Sequence, residues 1–167
     1  MSLPPRAEVE AFVFREMRLL DERRHEEWSA LFTQDGLYWL PIGRGEDHRR
    51  EPAILCDDAR QRRARIHQLL RYTHLAQDPP SRTLHFASNL EFGPAAAPDE
   101  IVISCNVLIH ELRPGDFQEL QLGLGQARML AALCEYRVRI GEDWRIAEKK
   151  VLLMDRDSPV TNLTCIL

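Results

Sequence analysis

The hydrophobic period of this chain changes near Arg82, and that change limits the folds that the chain can adopt. Before Arg82 most apolar side chains recur every three or four residues, which places them on one face of an α-helix, apart from a strand-like run at Leu37, Tyr38, Trp39 and Leu40 that Pro41 ends. After Arg82 they alternate with polar residues, which is typical of β-strands with one buried face. Helices followed by several consecutive strands predict an α+β fold, in which a curved antiparallel sheet packs on N-terminal helices.

Two helical regions are predicted in the first half of the chain. The first covers roughly residues 5–33, with an interruption at residues 21–24. Its helical spacing resumes after the interruption with Trp28, Leu31 and Phe32. The second region covers roughly residues 57–71, where Asp57 or Asp58 can cap the first turn. We expect both regions to turn an apolar stripe toward the sheet.

At least four long strands are predicted over residues 82–155. In the first of them we expect the apolar residues to face the core and His85 to lie on the polar side of the alternation. The apolar members of that strand are Leu84, Phe86, Leu90 and Phe92. In the last strand the apolar parity shifts between Ile146 and Val151, as a β-bulge requires. The sheet is therefore expected to curve strongly.

Chain length and charge exclude several classes of protein. The 167 residues are enough for one hydrophobic core and few for two, so we predict a single domain over residues 1–167, ending in a tail at residues 156–167. The formal net charge of -4 argues against nucleic-acid binding, which relies on excess Lys and Arg. No apolar run approaches the roughly 18 residues that span a bilayer, so no membrane contact is expected.

The cysteines indicate a reducing compartment. They are well separated and form no C-x-x-C pair, which is typical of a cytoplasmic protein with free, mostly buried thiols. The four are Cys56, Cys105, Cys134 and Cys165. We therefore predict a cytoplasmic location.

The sequence carries no motif for a cofactor, a metal or a nucleophile. No cysteine has a histidine close by, as an iron–sulfur cluster held by two cysteines and two histidines needs. The six histidines lack H-x-x-x-H and H-E-x-x-H spacing, and nucleophile-elbow, dinucleotide and Walker loops are missing. We expect no catalytic, cofactor-binding or metal-binding residues in this chain.

One catalytic alternative stays open, because a curved sheet closed by helices can bury a carboxylate and an imidazole together. The candidates for such acid–base work are Asp58, His74 and His85. Each also has a simpler interpretation: Asp58 as a helix cap, His74 in a polar loop, and His85 on the polar side of its strand. The corresponding function would be a free-standing hydratase or isomerase.

The predicted helix at residues 57–71 is rich in arginine. Its closely spaced members are Arg60, Arg62, Arg63 and Arg65. Such a run is commonly a solvated helix face. The alternative is a docking surface for carboxylates of another subunit, because arginine is favoured in ion pairs at interfaces.

A series of short motifs runs through nearly the whole chain. They are Leu19-Leu20-Asp21-Glu22-Arg23-Arg24, Glu27-Trp28, Leu31-Phe32, Asp35-Gly36, Tyr38-Trp39-Leu40-Pro41, Asp57-Asp58, Asp78-Pro79-Pro80-Ser81-Arg82, Ser88-Asn89, Trp144-Arg145-Ile146-Ala147, Val151-Leu152-Leu153 and Asn162-Leu163. In this order the set resembles the small, or β, subunits of aromatic-ring-hydroxylating dioxygenases, the Rieske non-heme iron oxygenases. The resemblance implies a cone-shaped sheet like that of nuclear transport factor 2.

The resemblance also implies partners. In that family a larger α chain holds the Rieske 2Fe-2S cluster and the mononuclear iron, and the two kinds of chain commonly form an α3β3 hexamer in which β subunits also meet one another. Electrons reach the complex from NADH through a reductase or ferredoxin, and oxygen is added to an aromatic ring. A non-catalytic structural subunit is therefore the main hypothesis, with Arg60, Arg63, Asp78 and Arg82 as candidate interface residues. A small-ligand binding module without chemistry is a third possibility.

Overall fold

The computed structural model describes residues 3–43, 46–71, 80–114, 125, 127–158, 163 and 165–167. Within these residues two helices come first, two strands and a third helix follow, and four long strands come last, so the predicted run of long strands after the helices is confirmed. The elements are α1 (Arg6–Asp21), α2 (His25–Ala30), β1 (Phe32–Pro41), β2 (Ala53–Asp57), α3 (Ala59–Arg71), β3 (Arg82–Pro94), β4 (Glu100–Leu112), β5 (Ala127–Arg139) and β6 (Arg145–Leu153).

The strands form one six-stranded sheet in the order β2-β1-β6-β5-β4-β3. Strands β3 to β6 follow one another as antiparallel neighbours, as predicted. β1 and β2 are also antiparallel, whereas β1 and β6 are parallel, so one pair of strands departs from the predicted antiparallel arrangement. A short turn forces the strands that it joins to run antiparallel. β1 and β6 are far apart in the sequence, so no turn sets their relative direction.

The first predicted helical region ends earlier than expected. Phe32 was assigned to a helix, but it begins β1 and pairs with Ile146 of β6. The main-chain N–H of Ile146 donates to the oxygen of Leu31 at 2.8 Å. The Phe32 ring packs edge-on against Trp28, with 5.0 Å between ring centroids. β6 thus supplies the hydrogen-bond donor to the main-chain oxygen of Leu31 that the next turn of a continued helix would have supplied. The spacing of the apolar residues alone did not reveal this pairing.

A β-bulge in β6 confirms the parity shift that the sequence predicts. Val138 of β5 pairs with Ile146, whereas the adjacent Arg137 pairs with Glu148, so Ala147 is an extra residue. Ile146 and Ala147 are both buried although they are neighbours. From this point the buried positions of β6 are odd-numbered. The bulge bends the strand and so contributes to the curvature of the sheet.

A second bulge, in β3, reverses the expected orientation of the first half of that strand. The register shifts between Ser88 and Glu91, and Asn89 adopts a positive φ of 53°. Leu90 after the bulge is buried as predicted, but Leu84 and Phe86 before it are more than half exposed. One extra residue moves every earlier side chain to the opposite face. His85 therefore points toward α1 and the core, not to the polar side as predicted.

One hydrophobic core lies between α1, α2 and the inner face of the sheet. It includes the α1 residues Val9, Phe12, Val13, Met17, Leu19 and Leu20, and inward-facing residues of β4, β5 and β6. Ile166 and Leu167 also belong to it, although they fall in the predicted tail. The cysteines are free thiols; Cys105 and Cys134 are buried. None of the described helices is long and apolar enough to cross a bilayer.

Candidate functional site

A buried polar network fills the space between α1 and the sheet. The Lys149 ammonium lies 2.7 Å from Glu16 Oε1 and 2.7 Å from the main-chain oxygen of Leu167. The indole N–H of Trp28 donates to the same Glu16 oxygen at 2.5 Å. The Tyr38 hydroxyl donates to the oxygen of Leu167, and burial raises the pKa of Tyr38 well above its ordinary value. The charges of Glu16 and Lys149 neutralise each other inside the core, so the network has a structural role.

One of the three predicted acid–base residues, Asp58, serves as a helix cap. Asp58 is exposed and caps α3: the main-chain N–H of Gln61 donates to Asp58 Oδ1 at 2.8 Å. The Gln61 side chain accepts from the Asp58 N–H at 3.0 Å, which completes a reciprocal capping arrangement. His74 lies outside the described residues. Asp58 therefore has the helix-capping contacts of its simpler interpretation.

His85 has a carboxylate partner that the sequence did not suggest, Asp21 at the end of α1. His85 Nδ1 lies 2.6 Å from Asp21 Oδ1, and the main-chain N–H of His85 donates to Asp21 Oδ2 at 3.1 Å. Thr83 also donates to this carboxylate. Partial burial acts to raise the pKa of Asp21, but these hydrogen bonds outweigh it and the pKa is lowered. The imidazole is 1% exposed, and its buried Nε2 has no hydrogen-bond partner among the residues that the structure describes. The pair ties α1 to β3.

The arginines of the basic helix α3 differ in their burial and in their contacts. Arg62 is buried: its Nη1 donates to the main-chain oxygen of Gly36 at 2.8 Å, its guanidinium lies 4.0 Å from the Phe32 ring centroid, and burial lowers its pKa to about 10. Arg65 makes a bidentate contact with Asp57. The remaining arginines of α3, Arg60, Arg63 and Arg71, are exposed and make no ion pair with a described residue.

Of the other candidate interface residues, Arg82 is exposed at the start of β3, and Asp78 lies outside the described residues. The structure thus brings Arg60 and Arg63 together on one helix, while Arg82 belongs to the edge strand of the sheet.

The outer face of the sheet carries an apolar patch that includes Leu84 and Phe86, two residues that the sequence predicts to face the core. We define the outer patch as Leu84, Phe86, Leu108 and Met129, whose exposed fractions lie between 39% and 67%. Phe86 pairs with Leu108, and His110 pairs with both Leu84 and Met129, so the members adjoin across three strands. Contiguous exposed apolar surface of this kind marks an interaction site. Only knowledge of the Asn89 bulge could have predicted that Leu84 and Phe86 are exposed.

Metal-binding residues do not converge in the part of the chain that the structure describes. There, no group of three or more His, Cys, Asp or Glu side chains is placed to hold a metal ion. Cys105 and Cys134 pair across β4 and β5 but face the core, and burial raises their pKa values to about 11 and about 12. Thiolates are the form that binds iron. These residues do not fit an iron–sulfur cluster.

Comparison with known proteins identifies the family. The family model described as the ring hydroxylating beta subunit matches residues 15–157. This chain belongs to the ring-hydroxylating β-subunit family. The resemblance of the ordered sequence motifs is thereby confirmed. The β subunit is 31% identical to the small oxygenase component of the p-cumate 2,3-dioxygenase system of Pseudomonas putida, over 89% of this chain and 78% of that one.

A second relative matches over a shorter stretch. The β subunit is 34% identical to the benzene 1,2-dioxygenase subunit beta of Pseudomonas putida strain F1, over 64% of this chain. The alignment spans only 62% of that relative's length.

Solved structures support the fold. The β subunit of benzoate 1,2-dioxygenase from Burkholderia mallei superimposes with a TM-score of 0.74, at 19% identity, over 99% of this chain and 100% of that one. A protein from Novosphingobium aromaticivorans described as NTF2-like, with a cystatin-like fold, superimposes with a TM-score of 0.60 over 90% of this chain and 82% of that one, at 18% identity. The predicted fold class is therefore confirmed.

Proposed function

We propose that this chain is a non-catalytic structural β subunit that assembles with a catalytic α subunit into a ring-hydroxylating dioxygenase. The observation that carries the proposal is the family match over residues 15–157. The buried network of Glu16 and Lys149 supports it, because these charged groups stabilise the core and are not exposed to a substrate. The hydratase or isomerase alternative is not favoured, since the relatives are dioxygenase subunits and Asp58 serves as a helix cap.

The chemistry is proposed to lie on the partner. The α subunit would hold the Rieske 2Fe-2S cluster and the mononuclear iron, and electrons from NADH would reach the complex through a reductase or ferredoxin. The assembly would add oxygen from O2 to an aromatic compound in a catabolic pathway. The p-cumate, benzene and benzoate systems of the relatives support an aromatic substrate. We propose a cytoplasmic location for this complex, which agrees with the free thiols.

The outer patch is proposed to meet other β subunits in an α3β3 hexamer. Its four apolar members are joined there by neutral neighbours such as Asn106 and Ala131. The four members carry no charge, so they can contact a second copy of the same chain without repulsion between like charges. Burial of these side chains would also contribute the hydrophobic free energy that association needs.

The basic helix α3 is proposed to contact the catalytic α subunit. Arg60 and Arg63 are exposed and lack an ion pair with any described residue, so they can bind carboxylates of the α subunit. Two copies of α3 would repel each other, which favours a different chain as the partner. Asp78 and Arg82 stay further candidates for this interface.

Co-expression tests the proposal. The chain is produced with the long chain of its system, which is recognised by C-x-H and C-x-x-H loops, and the product is examined by size-exclusion chromatography with light scattering. We expect both chains in one particle with the mass of an α3β3 hexamer, and substrate-dependent O2 uptake that neither chain has alone. The proposal fails if this chain stays separate while the long chain alone is an active oxygenase.

A charge placed in the outer patch tests the contact between β subunits. Phe86→Lys should reduce the hexamer to smaller particles, because a charge that is buried at an interface without a partner is costly. Phe14→Lys is the matched control, since Phe14 is 52% exposed, close to the 55% of Phe86, but lies on α1. Equal particle masses for Phe86→Lys and the unmodified chain would exclude this patch as the contact.

A further inference from the structure

A cleft of about 650 Å³ lies between α2, the start of β1 and α3. Its apolar lining includes Phe32 and Ile66, which are buried, and Leu70, which is 40% exposed. Arg62 also lines the cleft. Its guanidinium donates to the main-chain oxygen of Gly36 and lies over the Phe32 ring, so contacts within the protein fix the inner surface of the cleft. An apolar side chain of a partner can therefore enter the cleft and bury surface against pre-arranged groups.

One wall of the cleft is basic. Arg63, His67 and Arg71 follow one another at intervals of four residues along α3, which places them on one side of the helix. Ile66 and Leu70 form the adjacent apolar stripe, also four residues apart. An apolar stripe and a row that carries Arg63 and Arg71 thus run side by side along the same helix.

The two arginines of this wall, Arg63 and Arg71, keep an unneutralised positive charge in the described structure. Arg63 and Arg71 have no carboxylate within ion-pairing distance there, whereas Arg65 on another side of α3 is paired with Asp57. Among the described residues that line the cleft, the acidic one is Glu26, on the α2 side. The α3 sequence contains no Asp or Glu. This basic surface belongs to a chain with a net charge of -4, so it favours an acidic partner.

We infer that this cleft receives a segment of the catalytic α subunit, which inserts an apolar side chain beside Phe32 and Leu70 and places carboxylates against Arg63 and Arg71. The inference rests on the proposed function and names the site of the α contact. The arginines of the wall span eight residues, about 12 Å of helix, which suits a polypeptide better than a single small acid. A second copy of this chain would bring no acidic α3 to meet them.

The decisive variant is the double charge reversal Arg63→Glu/Arg71→Glu, examined in the co-expressed complex. The matched control is Arg15→Glu/Arg18→Glu, which makes the same charge change at exposed positions on α1. We expect the first variant to raise the dissociation constant of the α–β complex at least tenfold, equivalent to about 1.4 kcal/mol, and the control to change it less than threefold. Circular dichroism melts should show both variants folded, because all four side chains are exposed.

Two results would overturn the cleft assignment: unchanged assembly of Arg63→Glu/Arg71→Glu, or equal weakening by the control. If the unmodified chain does not assemble with the α subunit at all, the proposed function fails instead. A third arm adds benzoate to the isolated chain and measures thermal stability. A shift that Arg63→Glu/Arg71→Glu removes while assembly is unchanged would identify a free organic acid as the occupant, and would also overturn the assignment.

Discussion

Replacing Lys149 by methionine should destabilise the protein strongly. Lys149 is 1% exposed and Glu16 is fully buried, and their charged atoms are 2.7 Å apart. Lys149→Met leaves the Glu16 carboxylate buried without its cation, with the indole N–H of Trp28 as its close remaining donor. Breaking a buried ion pair on one side costs about 3–5 kcal/mol. For a chain of this size the melting temperature should fall by roughly 6–20 °C.

The double variant Glu16→Gln/Lys149→Met separates the ion pair from other effects. Glutamine keeps an acceptor for Trp28 but carries no charge, so no buried ion is left. We expect the double variant to be more stable than Lys149→Met alone, although the oxygen of Leu167 loses a donor in both. Urea unfolding of the full chain, followed by circular dichroism, gives the free energies and their coupling.

The reasoning would be refuted by either of two results. One is a loss of less than about 1 kcal/mol for Lys149→Met, the cost of an ordinary hydrogen bond. The other is a double variant whose loss of unfolding free energy equals the sum of the losses measured for Glu16→Gln alone and Lys149→Met alone. That result would mean that the two charges do not act as a pair.

Three further predictions concern other sites. Gly36→Ala should lower the unfolding free energy by at least about 1 kcal/mol in urea titration, because its added Cβ would lie 2.8 Å from the main-chain oxygen of Ile146; unchanged stability would contradict this contact. Burial, and then the charge of Arg23, lower the pKa of His25 to about 4, so the unfolded state binds the proton more readily. Stability should therefore be fully present above about pH 6.5 and fall by about 3 kcal/mol as the pH drops to 4, and His25→Gln should flatten that slope in urea titrations across this range. Asp58→Ala should cost about 1 kcal/mol of stability through loss of the α3 cap, while assembly and O2 uptake of the complex stay unchanged; loss of activity in a folded complex would point to chemistry instead.

Local sequence patterns predicted most elements because each pattern follows the geometry of one element. The helical stripe of α1 and the alternation in β4 match the buried faces that the structure shows. The bulge in β6 was also predictable, since the apolar parity shifts between Ile146 and Val151 within one strand. The prediction failed at Phe32, where pairing with β6 ends the helix early.

The candidate site was less predictable because its contacts join distant residues. Asp21 and His85 are 64 positions apart, and no local spacing relates them. Arg63 was a candidate from composition, but its place beside an apolar cleft depends on how α2 and β1 pack against α3. Leu84 and Phe86 of the outer patch are predicted to face the core because an alternating strand presents the same pattern whichever face is buried.

The sequence by itself determined the types and order of the elements, the basic character of α3 and the family, because these depend on residues that lie close together or in a fixed order. Only the tertiary structure decided which faces are exposed and which charges are neutralised. One extra residue at Asn89 turns Leu84 and Phe86 outward, and the chain must fold before Glu16 and Lys149, 133 positions apart, can meet. Burial and ion pairing depend on which residues are neighbours in three dimensions. Those tertiary contacts give the buried polar residues a structural role and leave the exposed residues available to contact partners.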